Sequence, residues 1–422
     1  MDSRILSQLE EAYGEEWALA GGDLGQLEQA VGRILKSLGV GLLQRLVNRP
    51  GNGYQGSRIA CPCGGVLRFV GYRARDIHTL VGWIRVQRAY YHCPACQRSR
   101  VPYDQDSGLG GEQLSPGLAK ACSLLAVDDS FAEVSKKIGG LFGEAVSDTT
   151  VERQVHHVGS VLLQQQEHDL ERFRIERGMP ASQVQPERLY VSVDGTTVHE
   201  AQGWHEAKTG CLYWQDEHQR QHKHYVGRFC SSERFGWHMW LAACRCGLRE
   251  AREVVYLGDG AAWVRSEHDR HFRRAVFIVD WYHASEHVWD CGKVLLGPGT
   301  ALADQWVRQR LSLLWEGQTR RLLKDLQAQS HRHRGAKRKA LEDLHRYLSD
   351  NEEQMQYDEF RARGYDIGSG AVEGACKHVV GKRLKQSGMI WSRTGSSATL
   401  ALRICWLNGG WNSFWQQKPL AA

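Results

Sequence analysis

The stretch RLYVSVDGTT, residues 188–197, alternates apolar and polar side chains up to Asp194, which is typical of a β-strand followed by a polar turn. A second apolar run, VVYLGDG at 254–260, ends in the same way at Asp259. Hydrophobic periodicity predicts further elements around these two runs: strands at 204–214, 225–230 and 275–279, and helices at 235–252 and 261–273. The order β-β-β-α-β-α-β predicts an α/β sheet with both aspartates at strand ends.

The two strand-end aspartates form the first candidate site. Carboxylates that stand side by side repel each other unless a divalent cation joins them. Glu373 follows a glycine-rich approach at 368–370 and begins a helix, so it is a candidate for a third ligand. Asp and Glu side chains that hold two Mg²⁺ ions are suited to phosphodiester chemistry. Each acid alone is more typical of a turn or of the first turn of a helix, so the interpretation rests on their combination.

Further polar residues accompany these acids. Asp280 and His283, in the sequence DWYH, close the last strand and can be metal ligands, orient the metal site, or contact DNA through His283. Four cations within a few helical turns of Glu373 are predicted to neutralise bound phosphates: Lys377, Lys382, Arg383 and Lys385.

Four of the twelve cysteines cluster in the sequence. Cys61 and Cys63 form a C-x-C pair, Cys93 and Cys96 form a C-x2-C pair, and 29 β-rich residues separate the pairs. Two short pairs at opposite ends of a hairpin suit a tetrahedral Zn²⁺ ion, although C-x-C is one residue tighter than usual. The alternative is two pairs of reduced core cysteines. Eight arginines and three acids share the segment 51–110, which favours a zinc ribbon that contacts nucleic acid over a solvated basic face.

A helix-turn-helix is predicted downstream of the cysteines. Its parts are a first helix at 131–138, a turn at Gly139, Gly140 and Gly143, and a second helix opened by a capping box at Thr149–Glu152. The outward side chains of the second helix are predicted to be Thr150, Arg153, Gln154 and His157, with Arg153 and Gln154 as DNA contacts. The same pattern is common in helical bundles, and this part of the chain is net acidic.

The formal charge of +6 is concentrated in two segments. Residues 51–110 carry +5 and residues 361–422 carry +7, whereas residues 181–290 carry −2. Contacts with a polyanion are therefore expected first in the two basic segments. We see no signal-peptide pattern and no apolar run of about 18 residues, so we expect a cytoplasmic, nucleoid-associated protein without a membrane segment.

These motifs resemble a bacterial DDE transposase with a ribonuclease-H-like core, of the ISKra type of insertion sequence, and more distantly the Mutator-type elements. The resemblance covers roughly residues 185–410 and rests on four motifs: VDGT at 193–196, GDGA at 258–261 with Trp263, DxxH at 280–283 and GAVEG at 370–374. It implies that Asp194, Asp259 and Glu373 are the metal-binding triad. It also implies that a helical insertion precedes the Glu-bearing helix and that Asp280 and His283 are accessory to the active site.

We predict six segments along the chain, and the resemblance implies a function for the whole. They are an N-terminal helical region at 1–50, a zinc-ribbon-like DNA-binding module at 51–110, a helix-turn-helix region at 111–180, the first part of the core at 185–290, a helical insertion at 291–360, and the completion of the core at 361–422. The implied transposase binds the terminal inverted repeats of its element, cleaves a strand with two Mg²⁺ (or Mn²⁺) ions, and joins the 3′-hydroxyl to target DNA. Because two ends must be handled together, a homodimer or larger assembly on DNA is expected.

Three other functions stay open. A DNA-binding regulator could keep the transposase architecture with catalysis unused, and a nuclease of the same fold would cut DNA without joining it. A paired-carboxylate glycosidase would use the fifteen tryptophans to stack sugars. Metal-dependent cleavage distinguishes the enzymes from the regulator, and strand transfer distinguishes a transposase from a nuclease.

Overall fold

The computed structural model describes residues 3–14, 23–49, 51–109, 113–176, 180, 182, 184–368 and 370–417. The chain divides into two compact units, one built from residues 1–161 and 411–422 and the other from residues 162–410. Residues 15–22 of the predicted N-terminal helical region lie outside the described residues. Among the described helices, none has the length and apolar character needed to cross a membrane.

The first unit combines helices with a small antiparallel sheet. Its elements are α1 (Ser3–Ala12), α2 (Leu24–Val47), β1 (Arg58–Ala60), β2 (Val66–Thr79), β3 (Gly82–His92), β4 (Ser99–Arg100), α3 (Pro102–Asp106), α4 (Pro116–Leu125), α5 (Phe131–Phe142) and the first half of α6 (Asp148–Glu176). The strands neighbour one another in the order β1-β2-β3-β4. The β-rich sequence between the two cysteine pairs is thus a long hairpin of β2 and β3.

Side chains of α2 cover the free edge of this hairpin. Gln44 donates to the Arg85 carbonyl oxygen at 2.5 Å and accepts from the Arg85 amide at 2.6 Å, and Asn48 accepts from the Gln87 amide at 2.8 Å. Unpaired edge groups invite pairing with another chain, and the amide side chains of α2 satisfy them instead.

The predicted helix-turn-helix has different boundaries. α5 runs through the first two glycines of the predicted turn and ends before Gly143, whose φ of +63° turns the chain. α6 begins earlier than expected because the Ser147 hydroxyl accepts from the Thr150 amide at 3.2 Å. Ser147 therefore caps the helix, and the capping box predicted at Thr149–Glu152 is wrong.

The second unit is built on a five-stranded mixed sheet. Its strands and intervening helices are β5 (Arg188–Glu200), β6 (Gly203–Gln215), β7 (Gln221–Arg228), α7 (Ser232–Arg245), β8 (Glu253–Gly258), α8 (Ala262–His271) and β9 (Val276–Val279). The strand order is β7-β6-β5-β8-β9, with β5, β6 and β7 antiparallel and with β8 and β9 parallel to β5. The predicted order of strands and helices and the mixed α/β sheet are confirmed.

Several boundaries in this unit differ from the prediction, and two of the differences have a clear physical reason. β5 does not end at Asp194 but continues to Glu200, because its far half pairs with β6 in an unbroken register. The helix predicted to reach residue 252 ends at Arg245, where Gly247 adopts a φ of +87° and the Leu248 amide donates to the Ala243 carbonyl oxygen at 2.9 Å. A glycine in this conformation is a common helix stop.

Helices follow the last strand of the sheet. They are α9 (Trp281–Leu296), α10 (Ala301–Trp315), α11 (Thr319–Ser330), α12 (Gly335–Asp350), a 3₁₀ turn (Glu352–Met355), α13 (Tyr357–Ala362), α14 (Gly370–Ala375), a π-helix (Cys376–Gly381), α15 (Lys382–Leu384) and α16 (Arg393–Leu407). The last helix, α17 (Trp411–Gln416), belongs to the first unit. α14 packs against β5 and β6, which places Glu373 over the sheet.

Candidate functional site

Asp194 and Asp259 stand at the same level on neighbouring strands. β5 and β8 pair in parallel with Ser192 opposite Leu257, and each aspartate follows two residues later. Because neighbouring strands are about 4.8 Å apart, the two aspartates are adjacent where β8 ends. The structure therefore brings together the two acids that the sequence pattern singles out.

The Asp194 carboxylate is half-buried and already hydrogen-bonded. Its Oδ1 accepts from the Gly195 amide at 2.6 Å, and its Oδ2 accepts from the Cys376 thiol at 3.4 Å. Burial raises the pKa of Asp194, and the neighbouring charge of Asp259 adds to the rise. The two hydrogen bonds and the charge of His283 act in the opposite direction on this pKa. A cation that reaches both aspartates would stabilise the ionised pair.

Glu373 lies one helical turn before the thiol that touches Asp194. Cys376 begins the π-helix that continues α14, and residues three apart share one helix face. The Glu373 side chain is 37% exposed, and its Oε2 lies 3.9 Å from Lys377 Nζ. Within the described part of the chain, the carboxylate oxygens of Asp194, Asp259 and Glu373 do not all come within 4.8 Å of one another. The three carboxylates thus do not form a closed set of ligands.

A buried arginine holds the π-helix in place. Arg403 of α16 is fully buried and donates from Nε to the Val379 carbonyl oxygen at 2.8 Å and from Nη2 to the His378 carbonyl oxygen. A π-helix changes the partners of its backbone carbonyls and is frequent at functional sites. The Arg403 guanidinium satisfies two of these carbonyls and so fixes Cys376 against Asp194.

Replacing Arg403 with methionine should lower the free energy of unfolding by about 3 kcal/mol, because buried carbonyl oxygens lose a charged donor. Urea denaturation followed by circular dichroism measures the change. Arg308→Met is the matched control, since Arg308 is exposed on α10 and surface substitutions shift stability by about 0.5 kcal/mol or less. Equal stability of the two variants would contradict the role given to Arg403.

Asp280 caps the helix that carries His283. Its Oδ1 accepts from the amides of Tyr282 at 2.5 Å and His283 at 3.0 Å, and its own amide donates to the Gly258 carbonyl oxygen at 2.8 Å. Asp280 is fully buried, so of the roles left open by the sequence these contacts favour orientation. The cap fixes the start of α9 beside Asp259. His283 lies close enough to Asp194 for its charge to lower the pKa of Asp194, against the larger effect of burial.

Three residues near the aspartates are not singled out by the sequence pattern. Cys376, expected as an ordinary core cysteine, donates to Asp194. Tyr347 of α12 donates its hydroxyl to the Asp259 carbonyl oxygen at 3.2 Å, and its ring centroid lies 3.9 Å from that of His287 on α9. Burial lowers the pKa of His287, which favours a neutral ring. The spacing of four residues between two histidines of α9 is the signal that could have indicated this face.

Three of the four predicted DNA-contacting cations that follow Glu373 reach solvent. They are Lys377, Lys382 and Lys385. Lys385 donates its ammonium group to Thr196 Oγ1, and Thr196 lies two residues beyond Asp194 on the same face of β5. A cation at this place would attract an anionic ligand toward the aspartates.

Two other predicted DNA contacts are wrong because their side chains are buried. Arg383 is fully buried, with its guanidinium 5.0 Å from the Trp391 ring and 3.5 Å from Met389 Sδ. Gln154 is 3% exposed, whereas Arg153 beside it is exposed. Consecutive helical residues point about 100° apart, so a small error in the predicted face exchanges an exposed residue for a buried one.

The four predicted zinc ligands meet at one point in the first unit. The Sγ atoms of Cys61, Cys63, Cys93 and Cys96 all lie within 4.8 Å of one another. Three of the Sγ–Sγ distances are 3.3, 3.6 and 3.8 Å. A tetrahedral Zn²⁺ ion with bonds of about 2.3 Å requires Sγ–Sγ separations of about 3.8 Å. The quartet could therefore hold a metal ion and is compatible with Zn²⁺, in spite of the tight C-x-C spacing.

Tight turns in the backbone direct the two cysteine pairs toward each other. Gly64 and Gln97 adopt left-handed conformations, with φ of +83° and +61°. The Gly64 amide donates to the Cys61 carbonyl oxygen at 3.0 Å, and the Gln97 amide donates to the Cys93 carbonyl oxygen at 2.9 Å. A hydrogen bond from the Cys96 amide is the main cause that lowers the pKa of Cys93 to about 7. A backbone hydrogen bond at Cys63 lowers the pKa of Cys61, but burial and hydrogen bonds with the other thiols outweigh it and raise this pKa to about 12. Cys93 thus supplies a thiolate ligand more readily than Cys61.

Comparison with known proteins gives a family for this chain. No curated protein matches the chain. The family model for UPF0236, described as an uncharacterised protein family, matches residues 66–417. The matched range contains Asp194, Asp259, Glu373 and the second cysteine pair, and it begins after the first cysteine pair. Because the match covers most of its length, the chain belongs to the UPF0236 family.

Proposed function

We propose that this chain is a DDE transposase of the ISKra type, built on a ribonuclease-H-like core. The observation that carries the proposal is the position of Asp194 and Asp259, level with each other on β5 and β8, under the helix that bears Glu373. The strand order supports the ribonuclease-H-like core that the resemblance implies, since three antiparallel strands are followed by two parallel ones in the predicted β-β-β-α-β-α-β sequence.

The three carboxylates fit a divalent-cation site by their chemistry. Carboxylate oxygens are the ligands that Mg²⁺ and Mn²⁺ take in proteins. Burial and the charge of Asp259 raise the pKa of Asp194, so a cation at this place would stabilise the ionised carboxylate. In the proposed function Asp194, Asp259 and Glu373 would hold two such ions, which would activate the attacking hydroxyl and stabilise the leaving oxygen. Among the described residues Glu373 pairs with Lys377 at 3.9 Å, and an exposed pair of this kind contributes little to holding the Glu373 side chain in place.

The residues around the carboxylates then position a DNA strand. Lys385 beside Thr196 and the exposed Lys377 and Lys382 neutralise phosphates next to the aspartates. Asp280 fixes α9, so that His283 keeps its place near Asp194. These positions favour a phosphodiester substrate over a sugar, because cations accompany the carboxylates, with Lys385 at Thr196 and Lys377 at Glu373.

The cysteine quartet would form a zinc-ribbon-like module that contacts DNA. Arg88 and Arg75 of the hairpin are paired with Asp104 at 2.5 and 3.3 Å. Five other arginines of the module are exposed: Arg58, Arg68, Arg73, Arg85 and Arg98. Arg85 lies 3.9 Å from Asp76, but an exposed pair of this length contributes little, so all five are candidates for contacts with phosphates. In the proposed function this module binds the terminal inverted repeats.

A cleavage and joining assay tests the proposal. The full chain is mixed with linear DNA that carries any short inverted repeats that flank the reading frame, with a supercoiled target plasmid and with Mg²⁺ or EDTA. We expect Mg²⁺-dependent strand cleavage at the repeat and transfer of the freed 3′-hydroxyl into the plasmid. DNA with scrambled repeats is the matched control and should not be cleaved at a defined position.

The same assay distinguishes the other candidate functions. Cleavage without transfer would identify a nuclease of this fold and contradict the transposase. Repeat binding without cleavage in Mg²⁺ or Mn²⁺ would identify a DNA-binding regulator and contradict it as well.

A further inference from the structure

An arginine-rich cavity lies at the end of the sheet opposite the carboxylates. It has a volume of about 1000 Å³ and is lined by the residues that begin β8 and β9, by the end of α8 and by the segment after α13. Two acids line it, Glu253 and Asp269. Six arginines line it: Arg249, Arg252, Arg270, Arg273, Arg274 and Arg363.

The positive charge of this cavity is only partly compensated. Glu253 is already shared between Arg188, at 2.8 Å, and Arg363, at 3.2 Å. Arg270 lies 3.8 Å from Glu233 and 3.8 Å from Glu267. Two of the six arginines, Arg249 and Arg274, are exposed and make no hydrogen bond or ion pair with the described residues of the chain. An excess of guanidinium groups in one concave place is a site for an anion.

A shallow groove joins this cavity to the carboxylate end of the sheet. The groove, also of about 1000 Å³, is lined at one end by Gly260, next to Asp259, and by Tyr347, whose hydroxyl binds the Asp259 carbonyl. Three residues line both the groove and the cavity: Asp269, Arg270 and Arg273. The exposed side of α8 therefore forms a continuous path from Asp259 to the arginines.

We propose that the phosphate backbone of a DNA duplex follows this path, along α8 and into the arginine cavity. The inference rests on the proposed function, which makes DNA the substrate at Asp259. α8 has ten residues and is about 15 Å long, which equals about four nucleotides of one strand at 3.4 Å each. The ligand is thus longer than a single nucleotide. Guanidinium groups bind phosphate oxygens in a bidentate manner, and Arg249 and Arg274 are the two that are free to do so.

The test measures duplex affinity in EDTA, so that no cleavage takes place. The affinity of the full chain for a 30-base-pair duplex is determined by fluorescence anisotropy over a series of NaCl concentrations. For Arg249→Gln/Arg274→Gln we expect affinity to fall on the order of ten-fold for each arginine at 0.1 M salt, and the slope of log K against log salt to decrease by about 2. The double variant Arg220→Gln/Arg308→Gln is the matched control, since Arg220 and Arg308 are also exposed and unpaired among the described residues but lie outside the cavity.

The outcomes separate this inference from the proposed function. An unchanged slope for Arg249→Gln/Arg274→Gln, or an equal decrease for the control pair, would overturn the path along α8 whether or not the protein cleaves DNA. Competition by inorganic phosphate at millimolar concentration without any change in the salt slope would identify a small-anion site and overturn it too. A selective decrease supports the path even if the transposase assay detects no cleavage.

Discussion

Asp194→Asn, Asp259→Asn and Glu373→Gln should each lower the rate of Mg²⁺-dependent strand cleavage by about 1000-fold or more, because each removes a charged metal ligand. Binding of the terminal repeat should stay within about three-fold of the wild type, since these side chains act on the reacting phosphate and not on the flanking duplex. Single-turnover cleavage of labelled DNA and anisotropy of the same DNA measure the two quantities.

Stability measurements keep this expectation separate from simple misfolding. Burial and the charge of Asp259 raise the pKa of Asp194, so the neutral amide in Asp194→Asn relieves repulsion and should not lower the melting temperature. Asp343→Asn is the control of equal chemistry, because Asp343 is half-exposed on α12 and pairs with Arg346. A variant of the triad that cleaves DNA at the rate of Asp343→Asn would remove its residue from the mechanism.

The order of the sheet could be predicted because each strand carries its own pattern. The alternating run that becomes β5 and the apolar run that becomes β8 indicate strands without knowledge of their partners. The end of β5 could not be predicted in this way. Gly195 and the two threonines after it read as a turn, but pairing with Lys208, Ala207 and Glu206 of β6 keeps them extended. Tertiary pairing overrides local turn preference at this point.

The sequence pattern indicates the acids of the candidate site but not the residues that contact them. Asp194 and Asp259 carry a local signal at strand ends, whereas Cys376 and Tyr347 reach them across 182 and 88 positions of sequence. The pattern also could not predict which helical residues are exposed: Arg383 is predicted to contact DNA and is fully buried. A local sequence motif contains no information about which side chains from distant parts of the chain will form hydrogen bonds with its residues.

The distribution of charge gives a second example. Segment 181–290 has a net charge of −2, so the charge of each segment does not predict an anion-binding site there. Folding nevertheless collects arginines from the segment after α7, the end of α8 and the segment after α13 around one cavity, where six arginines face two acids, Glu253 and Asp269. Glu267, another acid of the segment, is buried on α8 next to His271, at 3.4 Å. Local concentration of charge, and not the segment average, determines where an anion binds.

Cys93→Ser should abolish zinc binding and unfold the end of the β2–β3 hairpin that carries the quartet. The buried cluster around the quartet contains Cys61, Leu67, Ala89, Tyr91 and Cys93, and a core of this size rarely supports a fold without a metal or disulfide. Structural zinc contributes an apparent free energy of about 10–16 kcal/mol in small zinc-binding peptides. This is comparable to the whole stability of a typical domain, which is about 5–15 kcal/mol. Loss of one thiolate therefore removes the main support of this end of the hairpin, whereas the other end keeps its own cluster of Ile77, Ile84 and Val86, packed against Val40 and Leu43 of α2.

Zinc content and protease sensitivity measure this effect. The wild-type chain should release about one zinc per molecule to a colorimetric chelator after thiol modification, and Cys93→Ser should release almost none and be cut by trypsin at the exposed arginines of the hairpin. Cys122→Ser is the matched control, because Cys122 is a fully buried cysteine of α4 in the same unit outside the quartet. Its hydroxyl carries a cost of burial of about 1–3 kcal/mol, but zinc and the protected hairpin should be retained. Full zinc content in Cys93→Ser, or a protected hairpin after complete removal of zinc, would show that the quartet is a set of reduced core cysteines whose packing alone holds β2 and β3 together.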